Sequence, residues 1–495
     1  MRIFRNDWSP LAPHPLGSWT PSLSVSVVIP AWNAGRLLPT VLAGLAAQSY
    51  PAHLLEVVVA NDGPVPLDLP ELRPENTRVV AVEGGWGRAA ACHAGALAAE
   101  GDVLHWYDAD MLAERTQIEA QLRWHHLLDH VVVLGDKRFV DPAPVLEAGP
   151  SAVRDAVVAD RVGAFFDGLD RVGHTWVDEI YARTDDLRAA GWFALRTHTG
   201  ATASVRRALY LESGGMDTTL RLGEDIALGA RLAEAGAVFV PDHEAVSWHL
   251  GPTHVMDRRE QVNAYNDPFH ADRTPVLRAK RRVGRTYTAA YLDVVLEVAA
   301  GSAPTCLPHA DVVDCVDAVL ASTLHDLVVT LVGPWSLLDD ERLAVLDDPL
   351  LDLRLVRAAY AGEARVRFAE EVPVERDAPF RLALPGASFA PRRPTLERLL
   401  LHLEHTHDGL RVIRLKDGSV ARIERTAAVA RALRVVEPGE ALDDVLAQVA
   451  GVGEVAGPAV GFGPIEKVRV RNAPRTGGPA LPADEAWAKV DRQLP

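Results

Sequence analysis

Two aspartates separated by one residue, Asp108 and Asp110, are the clearest candidates for chemistry in this chain of 495 residues. They follow a short apolar run at 103–107 that predicts a buried strand. Residues two apart in an extended chain point to the same side, so both carboxylates can face one hard cation such as Mg²⁺ or Mn²⁺. A cation held by two carboxylates keeps open positions that the diphosphate of a nucleotide could fill. Taken alone, such a pair is more often an exposed acidic loop, so its interpretation depends on the rest of the chain.

The elements that would position these aspartates form an alternation of strands and helices. Such an alternation predicts a mostly parallel sheet with helices on both faces, and ligands of these sheets bind beyond the carboxyl ends of the strands. The predicted strands span 24–30, 54–60, 77–82 and 103–107, and the predicted helices span 34–48 and 88–100. We therefore expect the residues at the strand ends to converge at one edge of the sheet: Asn33, Asp62, Asp108 and Asp110.

The composition excludes several classes of protein. The net charge of −16 argues against a general nucleic-acid binder, which would need a basic face. Three cysteines form neither a disulfide framework nor a zinc site, which fits a reducing cytoplasm. The N-terminal residues lack the apolar region of a signal peptide, and no run of 18 apolar residues is present. We expect a cytoplasmic protein that is soluble or at most peripheral to a membrane.

Six segments occur in the order in which family-2 glycosyltransferases of the GT-A fold carry similar ones, and the chain resembles that family. The segments are SVSVVIPAWN (24–33), VVVANDGP (57–64), GDVLHWYDADM (101–111), TGATASVRR (199–207), SGGMD (213–217) and GEDIALGARLAEAG (223–236). The resemblance implies an α/β fold of the GT-A, nucleotide-diphospho-sugar transferase type, with a Rossmann-like mixed sheet. The family commonly has an Arg-Asn pair in the helix before the D-x-D strand. Cys92 and His93 stand there in this chain, and Arg88 could supply the missing cation.

The resemblance also implies roles for individual residues around the donor. Asp110 would contact the ion, Asp108 the ribose or a metal-bound water, and His249 would complete the metal site, which would hold Mn²⁺ or Mg²⁺. Asp62 would accept a hydrogen bond from the nucleotide base, and Asn61 could assist, although an Asx turn is a competing explanation for Asn61. The whole predicted donor site consists of Pro30, Ala31, Asn33, Asn61, Asp62, Arg88 and Asp108.

A second acidic pair, Glu224 and Asp225, opens the helix predicted at 226–235. Acids at a helix start commonly serve as caps and stabilise the helix dipole. The neighbouring glycines, Gly223 and the pair at 214–215, favour a functional interpretation, and the resemblance implies that Asp225 is the catalytic base. Glu224 would hold the acceptor or the helix start.

The segment 141–195 shows a weaker pattern and carries several aromatic residues: Trp176, Tyr181, Trp192 and Phe193. These rings could line an acceptor groove, because sugars stack on aromatic faces, or they could be ordinary core residues. Both interpretations stay open from the sequence.

The second half of the chain repeats the alternation of the first. We predict an N-terminal extension (1–22), a catalytic GT-A domain (23–272), a basic linker (273–285), a degenerate GT-A-like α/β domain (286–472) and a loose tail (473–495). Strands are expected at 291–298, 327–332, 353–356 and 380–384, and a hairpin at 411–423 with its turn at 417–418. At the place of the D-x-D motif stands Leu-Pro-Gly-Ala, so this domain should lack a metal site. An unrelated α/β domain is the alternative. The basic residues at 278–285 are either a solvated face or a peripheral membrane contact.

The sequence thus predicts an inverting, metal-dependent glycosyltransferase of the hexosyltransferase type. Its donor would be a nucleotide-diphosphate sugar, UDP-linked by family frequency, and its acceptor a hydroxyl group of a glycan or another molecule. A homodimer through the second domain is possible. A nucleotidyltransferase would need a Gly-rich basic loop after the first strand, and Pro-Ala-Trp-Asn at 30–33 is not one. A non-catalytic sugar-binding or scaffold protein that kept the fold is the remaining alternative.

Overall fold

A computed structural model describes residues 1–278, 285–300, 305–338 and 344–472. The part that holds an eight-stranded sheet is called the first module here, and the part that holds a seven-stranded sheet is called the second module. The predicted C-terminal tail (473–495) and most of the predicted basic linker lie outside the described residues.

The first module contains eight strands and eight α-helices. Its strands are β1 (Val25–Ala31), β2 (Leu55–Asn61), β3 (Thr77–Ala81), β4 (Val103–Trp106), β5 (Met111–Ala113), β6 (Val131–Val140), β7 (Ala203–Arg206) and β8 (Val238–Leu250). Its helices are α1 (Leu38–Leu45), α2 (Arg88–Ala98), α3 (Gln117–His125), α4 (Ala143–Val158), α5 (Thr175–Arg183), α6 (Arg207–Glu212), α7 (Glu224–Glu234) and α8 (His254–Arg273).

The sheet of the first module has the order β3-β2-β1-β4-β7-β6-β8-β5. Strands β3, β2, β1 and β4 are parallel, β7 runs antiparallel to both β4 and β6, and β8 is parallel to β6. The central strands β1 and β2 are buried almost throughout, as expected of β-branched runs covered by helices on both faces. The predicted mixed α/β sheet is confirmed.

The second module contains eleven strands and seven α-helices within the described ranges. Its strands are β9 (Leu292–Glu297), β10 (Ala299–Ala300), β11 (Thr305–Cys306), β12 (Leu327–Val332), β13 (Val366–Ala369), β14 (Phe380–Leu384), β15 (Phe389–Pro391), β16 (Leu410–Arg414), β17 (Val420–Arg425), β18 (Val452–Ala456) and β19 (Phe462–Pro464). Its helices are α9 (His309–Leu320), α10 (Leu351–Tyr360), α11 (Thr395–Thr406), α12 (Thr426–Val435), α13 (Leu442–Val449), α14 (Gly457–Val460) and α15 (Ile465–Asn472).

The large sheet of the second module repeats the first seven positions of the first sheet. Its order is β13-β12-β9-β14-β17-β16-β18, which matches β3-β2-β1-β4-β7-β6-β8 strand for strand. The directions match as well, with parallel pairs among β13, β12, β9 and β14, antiparallel pairs on both sides of β17, and a parallel pair between β16 and β18. This repetition supports the proposal of a second GT-A-like domain over an unrelated α/β domain.

Several elements differ from the sequence-based expectations. The segment 141–195 contains α4 and α5, and its helical pattern is hidden because α4 is kinked at Gly149, with φ of 79°, just before Pro150. The predicted helix at 34–48 is a 3₁₀ turn followed by α1, with Pro39 in the first turn, where proline is tolerated. Residues 353–356 belong to helix α10 and not to a strand, so the third strand of the repeat is β13.

The two modules are packed against each other through buried groups. Arg431 on α12 is fully buried, and its guanidinium donates to the carbonyl oxygens of Gly236, at 2.9 Å, and Ala237, just after α7. Trp192 is buried among apolar residues of the second module and donates from Nε1 to His407 O at 2.9 Å. One of the four aromatic residues of the predicted groove therefore belongs to the interface between modules.

The N-terminal extension is irregular but closely packed. Ile3 and Leu11 are buried, and the Asn6 amide donates to Leu187 O at 3.0 Å and to Phe239 O at 2.9 Å in the first module. The Arg5 amide donates to Val449 O of the second module at 2.6 Å. The extension thus ties the two modules together.

Candidate active site

The carboxyl ends of β1, β2 and β4 meet at one edge of the first sheet, as predicted. Tyr107, Asp108 and Asp110 lie in the connection from β4 to β5, and β5 pairs antiparallel with the end of β8 so that Met111 lies opposite His249. This pairing brings a residue 139 positions beyond Asp110 next to the acidic loop. The sheet register therefore explains how the third predicted metal ligand reaches the first two.

Asp108, Asp110 and His249 form a group whose potential ligand atoms all lie within 4.8 Å of one another. The Nε2 atom of His249 is 3.8 Å from Oδ1 of Asp110. Two carboxylates and one imidazole suit Mn²⁺ or Mg²⁺, and three protein ligands leave positions open. The residues present therefore fit a divalent cation.

The His249 ring is oriented by a hydrogen bond at its other nitrogen. Nδ1 lies 2.9 Å from Gly251 O, and a carbonyl can only accept, so Nδ1 carries the proton. In the neutral imidazole Nε2 is then the unprotonated nitrogen, and it lies on the side of Asp110. This tautomer, fixed by a backbone carbonyl, is the one that metal-binding histidines require.

Burial affects the protonation of Asp110. Loss of solvent and the neighbouring Asp108 carboxylate raise its pKa, while His249 opposes the shift. A carboxylate that is costly to ionise without a nearby positive charge is expected at a cation site.

Arg88, at the start of α2, links this acidic loop to the second acidic pair. Its Nε donates to Asp108 Oδ1 at 2.9 Å, and its Nη1 lies 2.8 Å from Glu224 Oε1 and 3.3 Å from Asp225 Oδ1. The predicted cation is therefore at the site and contacts three carboxylates. Cys92 and His93 replace the family's common Arg-Asn pair. Cys92 is buried in the core, and His93 Nδ1 lies 2.7 Å from the Tyr210 hydroxyl.

The two acids at the start of α7 differ in exposure and in protonation. The Glu224 side chain is 4% exposed and that of Asp225 is 24% exposed. Burial, followed by repulsion from Asp225, raises the pKa of Glu224. Burial would also raise the pKa of Asp225, but the Arg88 charge, a hydrogen bond with Glu224 and the nearby His198 and Lys137 together outweigh burial and leave the pKa lowered. Asp225 is therefore the ionised and accessible member of the pair.

The predicted donor residues at the ends of β1 and β2 show different local arrangements. Asn61 forms an Asx turn, accepting from Gly63 N at 3.0 Å and donating to Val65 O at 2.8 Å, so its side chain is occupied in the way that the competing explanation requires. Asp62 accepts from Gly87 N at 2.6 Å through one oxygen, which joins the β2 end to the start of α2. Pro30 is half-buried and Ala31 is buried, while Asn33 is exposed in a left-handed conformation with φ of 51°.

Two residues with no predicted role lie against this cluster. Lys137 on β6 donates from Nζ to Ala201 O at 2.6 Å and to Thr199 Oγ1 at 2.9 Å. Burial lowers its pKa to about 8, although Asp108 and Asp225 oppose the shift. The loop that it holds contains Gly200, with φ of 73°, where an added Cβ would lie 2.6 Å from Arg88 Nη2 and 2.8 Å from Asp225 Oδ2. The TGATAS segment (199–204) is thus a closely packed stretch of backbone against Arg88 and Asp225. No sequence pattern pointed to Lys137.

The polar site lies beyond the carboxyl ends of the parallel strands β1, β2 and β4, which is where ligands of α/β sheets bind. Residues 26–176 match the family model described as Glycosyl transferase family 2. This match confirms the predicted resemblance to family-2 glycosyltransferases and the predicted class of enzyme, and it covers residues 26–176 of the 495 in the chain.

The chain also matches solved structures that hold nucleotide sugars. The chain is 18% identical to mannosyltransferase PcManGT from Pyrobaculum calidifontis in complex with GDP-Man and Mn²⁺, covering 55% of this chain and 68% of that one with a TM-score of 0.37. It is 17% identical to S. aureus TarS 1–349 in complex with UDP-GlcNAc, covering 47% of this chain and 59% of that one with a TM-score of 0.32. No curated protein matches the sequence. None of the described helices is long and apolar enough to cross a membrane.

The expected peripheral membrane contact at 278–285 lies mostly outside the described residues. Arg278 is described, and its guanidinium is buried, donating to the Asp326 carboxylate and to Ala289 O at 2.8 Å. This arginine is therefore a link to the second module and not part of an exposed basic patch.

Proposed function

We propose that the first module is a metal-dependent, inverting glycosyltransferase that moves a sugar from a nucleotide-diphosphate donor to an acceptor hydroxyl. The observation that carries the proposal is the grouping of Asp108, Asp110 and His249 at the same sheet edge as Asp225, with Arg88 joining the two halves. A donor whose diphosphate is held at Asp108, Asp110 and His249 would have its reacting carbon facing Asp225.

The charge balance of the site supports a divalent cation. Four carboxylates (Asp108, Asp110, Glu224 and Asp225) face two basic side chains, Arg88 and Lys137. A bound Mn²⁺ or Mg²⁺, held by Asp108, Asp110 and His249, would offset negative charge on the diphosphate leaving group. Arg88 is placed to stabilise the same charge from the opposite side.

Asp225 is the proposed general base. Transfer with inversion requires a carboxylate that removes the proton of the acceptor hydroxyl while the diphosphate leaves from the other face of the sugar. Asp225 is ionised and partly accessible, and the buried Glu224 contacts Arg88. Glu224 is therefore a positioning residue that holds Arg88 toward Asp225.

Asp62 is the proposed contact of the nucleotide base. One of its oxygens accepts from Gly87 N, and the other is available to an N–H of uracil or a similar base. The preference for a UDP-sugar rests on the resemblance to the family. The acceptor is proposed to be a glycan or another hydroxyl-bearing molecule.

Calorimetric titration of UDP and of GDP, each with Mn²⁺ and with EDTA, tests the donor site. We expect one nucleotide to bind wild type only with Mn²⁺ and to lose binding in Asp110→Ala. Ser388→Ala is the matched control, because Ser388 precedes β15 as Asp110 precedes β5, and it should bind like wild type.

Binding that is independent of metal, or no binding of either nucleotide, would contradict the metal site and favour a scaffold protein. If one nucleotide binds as expected, hydrolysis of the corresponding nucleotide sugars then identifies the sugar.

A further inference from the structure

The second module lacks the helix that covers one face of the first sheet. In the first module α2 lies between β3 and β4, whereas an irregular segment at 370–379 lies between β13 and β14. A cavity of about 150 Å³ is present at this place. Its polar and charged lining residues are Asp293, Thr330, Arg367, Glu375, Asp377 and Arg381.

The floor of this cavity is a buried polar network. Asp293 on β9 accepts from Thr330 Oγ1 at 2.8 Å and from Arg381 Nε at 3.1 Å, and all three residues are buried. Arg381 also donates to Pro373 O at 2.6 Å and Glu375 O at 2.8 Å, which holds the irregular segment over the sheet. A carboxylate oxygen has more than one acceptor position, so Asp293 can accept further hydrogen bonds from a ligand.

The matching positions of the first module are mostly apolar. Strands β1, β2 and β4 begin in register, as β9, β12 and β14 do, so that Thr330 corresponds to Val58 and Arg381 to Leu104. Val58 and Leu104 are fully buried in a core cluster with residues of α2. The second module thus has Thr330, Arg381 and open volume where the first has α2 packed over Val58 and Leu104. The position of Asp293 is polar in both modules, because Ser26 stands there in the first module and donates to Glu56.

The chemistry of the lining favours a neutral, hydroxyl-rich ligand. Two arginines and three acids line the cavity, so their charges nearly cancel and neither an anion nor a metal ion is favoured. The lining offers both hydrogen-bond donors and hydrogen-bond acceptors, as the hydroxyl groups of a sugar require. An engineered cavity of about 150 Å³ holds a benzene ring, so one six-membered ring is a suitable size for this half-open site.

We propose that this cavity, called the second-module cavity, binds a neutral pyranose sugar. The idea that the sugar is relevant to catalysis rests on the proposed function of the first module. Its source is either a free monosaccharide or one unit of a glycan acceptor, and in both cases hydroxyl groups would pair with Asp293 and Arg367. Arg367 is exposed at the rim, 3.5 Å from Asp377.

Saturation-transfer difference NMR on the full chain, with EDTA and without nucleotide, tests the proposal. The probes are glucose, galactose, mannose and N-acetylglucosamine, with a tetrasaccharide of any sugar that binds, and inorganic phosphate as the rival ligand. We expect at least one sugar to bind wild type with millimolar affinity and about tenfold more weakly to Arg367→Ala. Arg357→Ala, an exposed arginine of α10 away from the cavity, is the matched control and should bind like wild type.

A second variant, Thr330→Val, introduces the residue of the first module and should also weaken binding. Tighter binding of the tetrasaccharide would indicate a glycan acceptor, and equal binding a free monosaccharide. With EDTA present and nucleotide absent, the donor site binds neither metal nor donor. Asp110→Ala should therefore bind sugar like wild type even if the proposed function is wrong. Binding of phosphate alone, no binding of any of the four sugars, or loss of sugar binding in Asp110→Ala but not in Arg367→Ala would overturn the proposal.

Discussion

The two modules share the order and direction of seven strands, and they differ in the residues that come after the central strand. After β4 the first module has Tyr-Asp-Ala-Asp, and after β14 the second has Pro-Gly-Ala-Ser. Asp110 immediately precedes β5, and Ser388 immediately precedes β15. A change of a few side chains at one edge thus separates a potential metal site from a loop that offers no carboxylate, while the sheet is retained.

The start of the helix before the last shared strand offers the sharpest comparison. Asp225 is the second residue of α7, and Asp443 is the second residue of α13. Asp225 contacts Arg88, whereas Asp443 pairs with Arg422 at 2.7 Å on the surface. We expect Asp225→Asn to lower kcat by about 10²- to 10⁴-fold, as loss of a general base does.

Asp443→Asn is the control and should leave kcat unchanged. Steady-state rates with the nucleotide sugar identified by hydrolysis measure both variants. Equal losses in the two variants would show that Asp225 acts through the stability of its helix rather than as a base.

The glycines that end the same two helices test how tightly the modules are joined. Gly236 and Gly451 both have positive φ, of 91° and 86°. An added Cβ at Gly236 would lie 2.7 Å from the Arg431 backbone nitrogen, whereas at Gly451 the nearest atom is 3.6 Å away. In both alanine variants the free energy of unfolding should fall by about 1 kcal/mol because of backbone strain. In Gly236→Ala it should fall by about 1–3 kcal/mol more because of overpacking.

Urea unfolding measures these free energies and shows whether the modules unfold in one transition. A single transition in wild type that splits in Gly236→Ala is expected if this contact couples them. Equal losses in the two variants would mean that the contact between α12 and the end of α7 relaxes at little cost.

Arg88 has no counterpart in the second module, because α2 is absent there. Burial raises the pKa of Asp225, and the Arg88 charge is the largest of the several effects that together keep this pKa below its usual range. In Arg88→Met that pKa should rise, so Asp225 becomes protonated at a higher pH. The acid limb of the profile of kcat/KM against pH should then move to higher pH, which lowers kcat/KM at pH values near the limb.

In Arg88→Lys, which keeps the positive charge, the acid limb should lie close to its wild-type position. Arg78→Met is the control, because Arg78 pairs with Glu56 at 2.7 Å away from Asp225, and its profile should keep the wild-type limb. An unchanged limb in Arg88→Met would show that another group keeps Asp225 ionised.

Gly200 gives the smallest expected effect on the rate. Alanine at this position would be strained by φ of 73° and would press on Arg88 and Asp225. We expect kcat to fall about fivefold to tenfold, which corresponds to a rise of about 1 kcal/mol in the activation free energy, because the side chains of the site are displaced. Gly386, in the loop of the second module that replaces the metal motif, has no atom within 4 Å of an added Cβ, so Gly386→Ala should be neutral. An unchanged kcat in Gly200→Ala would show that the close packing of the TGATAS segment against Arg88 and Asp225 does not affect the rate.

Many strands of the fold could be predicted from local sequence patterns. Buried β-branched runs were predicted within one or two residues at β1, β2, β12 and β14, because such runs have few alternatives. The hairpin turn at 417–418 was also predicted correctly, because Asp-Gly is a strong turn signal. Helices α4 and α10 were missed, the first because Gly149 and Pro150 interrupt its period and the second because a short Leu-Arg-Leu-Val run also fits a strand.

The site could be predicted only in part, for a physical reason. Strand ends converge by topology, so Asp62, Asp108 and Asp110 could be placed at one edge from the sequence. The ion pairs of Arg88 with Glu224 and Asp225 join residues 136 and 137 positions apart, and no local pattern encodes such contacts. Lys137 and the role of Trp192 at the module interface were missed for the same reason.

The N-terminal extension has a consequence for the order of events during synthesis. Arg2 donates to the Gln448 side chain at 2.6 Å, across 446 positions of the chain. A ribosome that adds about 5–20 residues per second needs roughly 20 to 90 s to make that partner. The Asn6 contacts with Leu187 and Phe239 can form earlier, once the first module has left the ribosome. Arg2 is therefore made long before its partner, and this contact between the N-terminal extension and the second module can form only when the second module is nearly complete.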